Sequence, residues 1–166
     1  MIKDTMVGII SDTHDHRKAI SLAVDAFNKA GCSLVIHAGD YVAPFTFIDL
    51  KKLEGKFVGV FGNNDGEKRG LLEQAKQIGV LMEPPFEFTH YGKKIVVMHE
   101  PVYLKQFLSR EDIDVIVYGH IHKVDIRPGK PLAINPGECC SWLTGHSTVV
   151  ILDLDTMNPE VLELKL

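Results

Sequence analysis

The feature that most constrains this chain is a rhythm of short apolar runs rich in β-branched residues, several of them stopped by a small or polar cluster and followed by a stretch of helical periodicity. Such alternation requires strands covered by crossover helices, and it predicts an α/β fold. A strand is expected from Met6 to Ser11, followed by DTHDH and an amphipathic helix from about Arg17 to Ala30, with Ile20, Ala23, Val24 and Phe27 on one face and Gly31 as its stop. A second strand, Ser33 to His37, runs into AGDYVAP, and a short helix around Phe45 to Leu53 leads to a third strand, Phe57 to Phe61. That strand runs into GNNDG, and a helix of about Lys68 to Ile78 follows. These strands read as continuous apolar runs, as parallel strands covered on both faces do.

After Pro84 and Pro85 the pattern changes. The stretch FEFTHYGKKIVVMHE reads as two strands joined at His90 to Gly92, a hairpin signal. A helix near Tyr103 to Ser109 and a strand from Val115 to Tyr118 follow. Further strands are expected around Val124 to Arg127, Leu132 to Asn135, Thr148 to Leu152 and Val161 to Leu164. The second half is therefore expected to be more antiparallel. At 166 residues the chain has the length of one domain, read as residues 1–166, able to bury about two-thirds of its unfolded surface.

Composition excludes several classes. Hydrophobic residues at 45% and charged residues at 24% match ordinary globular proteins. The net charge of −4 argues against a stable complex with nucleic acid, whose affinity rests on Lys and Arg neutralising phosphates. The N-terminus has too few consecutive apolar residues for a signal-peptide core, and no run approaches the ~20 of a spanning helix. A cytoplasmic location without membrane association is the expectation. Cys32, Cys139 and Cys140 are odd in number and lack paired Cys-x-x-Cys spacing, so free thiols are expected.

The chemistry-bearing residues fall in a consistent place, because DTH, GD, GNND, MHE and GHIH each lie at or just past the end of an apolar strand, where α/β sheets build sites. If strand geometry persists, residues two apart share a face, so Asp12 with His14, and His120 with His122, would each form a chelating pair. Carboxylate, imidazole and amide oxygen together suit divalent ions such as Mn, Fe, Ni, Co, Zn or Mg. Asp12, His14, Asp40, Asn63, His99, His120 and His122 are too many ligands for one ion. They suffice for two if one carboxylate bridges, and Asp40, alone after Gly39, is the expected bridge.

In order, Asp12-x-His14, Gly39-Asp40, Gly62-Asn63-x-Asp65, His99 and Gly119-His120-x-His122 resemble the signature of calcineurin-like metallophosphoesterases, over roughly residues 7 to 122. The length and the closing segment Ile134 to Glu138 are similar to the small archaeal and bacterial phosphodiesterases of that superfamily. The resemblance implies a four-layer αββα sandwich of two facing mixed sheets flanked by helices. It also implies Asp12, His14 and His122 on one metal, Asn63, His99 and His120 on the other, and Asp40 between them. Two divalent ions, Mn or Ni favoured, would share a hydroxide that attacks the phosphorus of a small phosphodiester. A phosphomonoesterase is the alternative within the superfamily. A non-catalytic protein-binding scaffold is another, because a vacuolar-sorting subunit with this fold serves chiefly in assembly. A homodimer is compatible with all three.

Many members of that family carry His after the metal-binding Asn, where this chain has Asn64. An amide cannot give up a proton at neutral pH, so general-acid help of ~10²-fold or more would be missing and acidic leaving groups preferred. His16, His90 and His146 are possible substitute acids, or else loop and turn residues. His37, inside an apolar run, is read as a buried neutral imidazole. Asp65 is expected to support the site by orienting His14 or by capping the following helix. Asn135 to Glu138 is a turn that either lines the site or is structural.

Overall fold

The computed structural model describes residues 1–166. Its first half alternates β1 (Lys3–Ile10), α1 (Arg17–Ala30), β2 (Cys32–His37), α2 (Phe47–Leu50), β3 (Lys56–Val60), α3 (Lys68–Ala75) and β4 (Gly79–Met82). Its second half runs through β5 (Phe86–His90), β6 (Lys93–Val97), α4 (Leu104–Leu108), β7 (Val115–Val117), β8 (Val124–Arg127), β9 (Leu132–Pro136), β10 (Thr148–Asp153) and β11 (Asn158–Glu163). One sheet has the order β11-β10-β1-β2-β3-β4 and the other β5-β6-β7-β9-β8.

The α/β rhythm produces four parallel strands, β1 to β4, with β10 and β11 added antiparallel beside β1. β4 escapes the sequence pattern because it is only four residues long and buries Leu81 alone. The second half is more antiparallel than the first, as expected: β5 and β8 pair antiparallel at the edges of the second sheet, as β10 and β11 do in the first, around a parallel centre of β6, β7 and β9. The expected hairpin is present, turning through Tyr91 and Gly92, both at positive φ.

The sheets face one another across a core in which Val7, Ile9, Leu34, Ile36 and Val60 meet Ile95, Val97, Val115, Val117 and Ile134. Each such side chain contributes about 1.5–3 kcal/mol by leaving water. On the outer face of the first sheet, Ile20 and Val24 pack with Phe47, Leu50, Phe57 and Leu71. On the outer face of the second, Leu104 and Phe107 cover Val96, Ile116 and Ala133. This is the four-layer αββα sandwich. A Cβ at Gly8 would come within 2.5 Å of the Phe27 ring, so α1 lies directly on β1. The buried Asp49 carboxylate then ties α1 to α2 by accepting from Arg17 at 2.7 Å and Lys52 at 2.9 Å. Burial alone would raise that carboxyl; the two cations outweigh it and hold it below the ordinary range. No helix is long and apolar enough to cross a membrane.

Candidate metal centre

β1, β2, β3, β6 and β7 each stop two or three residues before a candidate ligand, so Asp12, Asp40, Asn63, His99 and His120 gather at one end of the two sheets. The backbone then leaves strand geometry. Asp12, His14, Asp40, His120 and His122 have φ of 52°, 37°, 62°, 71° and 59°, a left-handed region that costs non-glycine residues energy. This corrects the expected strand-type chelates. Asp12 and His14 do converge, through left-handed turns, whereas His120 and His122 part, their rings lying against His99 and His14 respectively.

Two clusters result. In the first, ligand atoms of Asp12, His14, Asp40 and His122 lie within 4.8 Å of one another. His14 Nε2 is 3.3 Å from Asp40 Oδ2 and 3.9 Å from Asp12 Oδ1, and His122 Nε2 is 3.4 Å from Asp12 Oδ1. In the second, Asn63 Oδ1 lies 2.9 Å from His99 Nε2 and 3.0 Å from His120 Nδ1. His99 Nε2 is also 3.4 Å from Asp40 Oδ2, so one oxygen of Asp40 adjoins both clusters.

The donor set fits divalent cations. His99 Nδ1 faces the Ala38 carbonyl at 2.7 Å and so carries the ring's hydrogen. Nε2 then turns its lone pair toward two acceptors, an arrangement that only a positive charge, a proton or a cation, satisfies. Asp12 Oδ1 and His14 Nε2 are buried without hydrogen-bond partners, while Asp12 Oδ2 is occupied by the Ser11 hydroxyl and the His120 N–H. The same convergence shows in proton affinities. Asp12 and then Asp40 raise the His14 imidazole to about 9 against the opposing effect of burial. Burial would raise Asp40, but His14 and His99 outweigh it and hold its carboxyl far below the ordinary range.

Neighbouring groups hold these side chains in place. Glu138, fully buried, accepts from His122 Nδ1 at 2.6 Å, which leaves His122 Nε2 to face the cluster, and also from the Thr144 N–H and hydroxyl. Burial would raise the Glu138 carboxyl, and these partners bring it down to about 2. In the sequence Glu138 is an acid closing the apolar run from Leu132, a pattern shared by a plain turn and by a segment that lines the site. Asn135 sits behind the site, donating to the Gly119 carbonyl and accepting from the Gly137 N–H.

Asp65 is also corrected. It neither orients His14 nor caps α3, whose first turn is capped by Glu67. Its carboxylate accepts from the N–H groups of Asp40, Tyr41, Val42 and Gly62 at 2.7–3.0 Å and so pins the loop after β3 to the loop after β2. Asn64 donates from its backbone and its amide to the two oxygens of Asp40. Gly39, at φ 100°, permits this crowding: a Cβ there would come within 2.9 Å of the His99 ring.

His37 is buried and neutral as expected, accepting from the Gly39 N–H and facing the Thr13 hydroxyl at 3.0 Å. Among the possible acids, His90 bonds Ser33 at the opposite end of β2, a strand length from the centre. His146 pairs with Glu163, and the His16 ring lies tilted against Trp142, whose indole N–H donates to the His14 carbonyl. All three cysteines are free and buried, and burial pushes Cys32 and Cys140 up to about 12.

Residues 6–157 match the model of the calcineurin-like phosphoesterase superfamily domain. The chain belongs to that superfamily. It is 36% identical over 154 residues to the phosphodiesterase MJ0936 of Methanocaldococcus jannaschii, covering 90% of this chain and 93% of the relative. A solved structure described as a novel archaeal phosphodiesterase superposes with a TM-score of 0.90 at 33% identity, covering 96% and 99% of the two chains. Vps29 of Entamoeba histolytica shares the fold, at a TM-score of 0.68 and 19% identity over 96% and 99% of the chains. The chain is thus a phosphoesterase-superfamily hydrolase with a cluster of Asp and His residues suited to the divalent metals the family implies.

Proposed function

We propose that the protein is a binuclear metal-dependent phosphodiesterase acting on small diesters. The observation that carries this reading is Asp40 Oδ2, 3.3 Å from an imidazole nitrogen of one cluster and 3.4 Å from one of the other. Asp12, His14 and His122 would hold one ion, Asn63, His99 and His120 the second, with Asp40 shared. Bound there, two divalent ions supply an activated water and neutralise charge on the phosphoryl oxygens.

The chain's own residues hold this arrangement rigid. Glu138 and the Ala38 carbonyl fix the tautomers of His122 and His99, and Asn64 and Asp65 fix Asp40 through its side chain and its backbone. Asn64 has its amide committed to Asp40 and no proton to give, so the leaving alcohol departs with little help from the protein. Diesters with acidic alcohols, aryl esters above all, are therefore the favoured substrates. The relative named a phosphodiesterase supports this choice over a monoesterase, and a net charge of −4 supports small esters over nucleic acid.

The test is to load the purified protein with Mn, Ni, Zn or Mg, count the bound ions, and compare bis(4-nitrophenyl) phosphate with 4-nitrophenyl phosphate and an alkyl diester. Trp142, the single tryptophan, bonds the carbonyl of His14, and its fluorescence should report loading independently of turnover. Two ions per chain and a preference for the aryl diester are expected. No ion bound and no hydrolysis would instead favour a scaffold. An Asn64→His variant should raise alkyl relative to aryl turnover by about tenfold or more.

A further inference from the structure

A cleft of about 330 Å³ opens beside the Asn63 cluster, sharing Asn63 and His99 with it; Phe61, Pro84, Pro85, Met98, Val102 and Tyr103 form its apolar wall, and Lys68, Glu83 and Glu100 its charged part. We propose that this cleft takes one ester arm of the substrate and selects a neutral aromatic ring, an inference that rests on the phosphodiesterase reading above. The volume is at the low end of small-molecule pockets, ~300–1,000 Å³, and suits one ring system rather than a polymer.

Its chemistry is specific. Phe61 is buried in the wall, while Val102 and Tyr103 stand 70% and 51% exposed on the short helical turn Pro101–Tyr103. A flat ring laid between Tyr103 and the Pro84–Pro85 segment would cover apolar surface that the chain itself leaves uncovered. The one lysine lining the cleft is already paired: Lys68 Nζ lies 2.8 Å from Glu83 Oε1 and 4.8 Å from the centre of the Phe61 ring. Glu100 also lines the cleft and adds a carboxylate there. Beyond the metal ligands, a second anionic group on the arm would therefore meet a paired lysine and a carboxylate. The depression beside the other cluster contrasts with it, being lined with Lys123, Thr144, His146 and Glu163 next to His122. The two sides of the centre thus offer unlike surfaces to the two arms of a diester.

The test compares binding of monomethyl phenylphosphonate and monomethyl methylphosphonate to the metal-loaded protein by calorimetry, since both are monoanions that differ only in the ring. The phenyl compound should bind about tenfold more tightly. In Tyr103→Ala that ratio should fall to within about threefold while methylphosphonate affinity stays unchanged. Val102→Asp, at an exposed rim position where folding is not at issue, should lower it similarly. A carboxyphenyl analogue should bind no better than the methyl compound. A ratio near one in the unmodified protein, a ratio untouched by both substitutions, or a carboxyphenyl analogue as tight as phenyl would overturn the proposal. If neither phosphonate bound a protein carrying two ions, the phosphodiesterase reading itself would fall.

Discussion

On the Asp12 side of the centre, side chains hold side chains: the buried Asp12 takes the Ser11 hydroxyl, and His122 is locked by the buried Glu138. On the Asn63 side, His99 is held by a backbone carbonyl, while Asn63 and His120 are exposed and meet chiefly each other and His99. The first half is a largely buried, pre-ordered socket and the second a more open one beside the cleft. If the proposed reading holds, the difference would divide ion retention and substrate access between the two halves, with Asp40 adjoining both.

The sharpest way to break this division is to remove what the halves share. Asp40→Ala should lose both ions and lower diester hydrolysis by at least about 10³-fold, read from metal content and initial rates on protein shown to be folded. If one ion stayed bound at full affinity, Asp40 would not be the bridge. Glu138→Gln should weaken metal affinity by about 10- to 100-fold, confined to the Asp12 half, so that one ion per chain remains under limiting metal. Equal weakening of both ions would show that the halves are not independently held.

Asp65→Asn attacks the connection between the loops after β2 and β3. An amide cannot accept four N–H groups with both its ends, so stability should fall by about 2 kcal/mol, a melting-point drop of roughly 4–8 °C, even in metal-free protein. A drop seen only in the presence of metal would place Asp65 among the groups that hold the ions. The smallest effect concerns Asp49, beneath the Asp12 half. Its folded pKa lies below its unfolded value, so its contribution is present above the ordinary carboxylate value of about 4 and is lost as pH falls through the lower folded value. Asp49→Asn should cost about 1 kcal/mol or less, because Arg17 and Lys52 are about half exposed, 48% and 60%. The gap from the parent should be constant from pH 7 to about 5 and close in acid; a gap that persisted in acid would mean Asp49 acts through packing.

Much of the fold was legible because apolar periodicity reports burial directly. α1 runs from Arg17 to Ala30 and stops at a left-handed Gly31, as its amphipathic stripe and glycine require. β4 was not legible, since four residues with one buried side chain carry no period. The return of β10 and β11 to the first sheet was hidden too, because a strand's pattern states that it is buried and not beside which strand it lies.

The same limit applies at the site. The sequence by itself determined which residue types stand at the strand ends, and hence the family and the seven candidate ligands, because local order and chemical type are written along the chain. Their grouping was implied by the resemblance; only the tertiary structure decided how they are held: Asp12, His14, Asp40, His120 and His122 in left-handed turns, Asp65 on four backbone N–H groups, Glu138 behind His122 across 16 positions of chain. These depend on left-handed turns and on strands from two sheets ending side by side. Both are set by long-range packing, which no single stretch of sequence encodes.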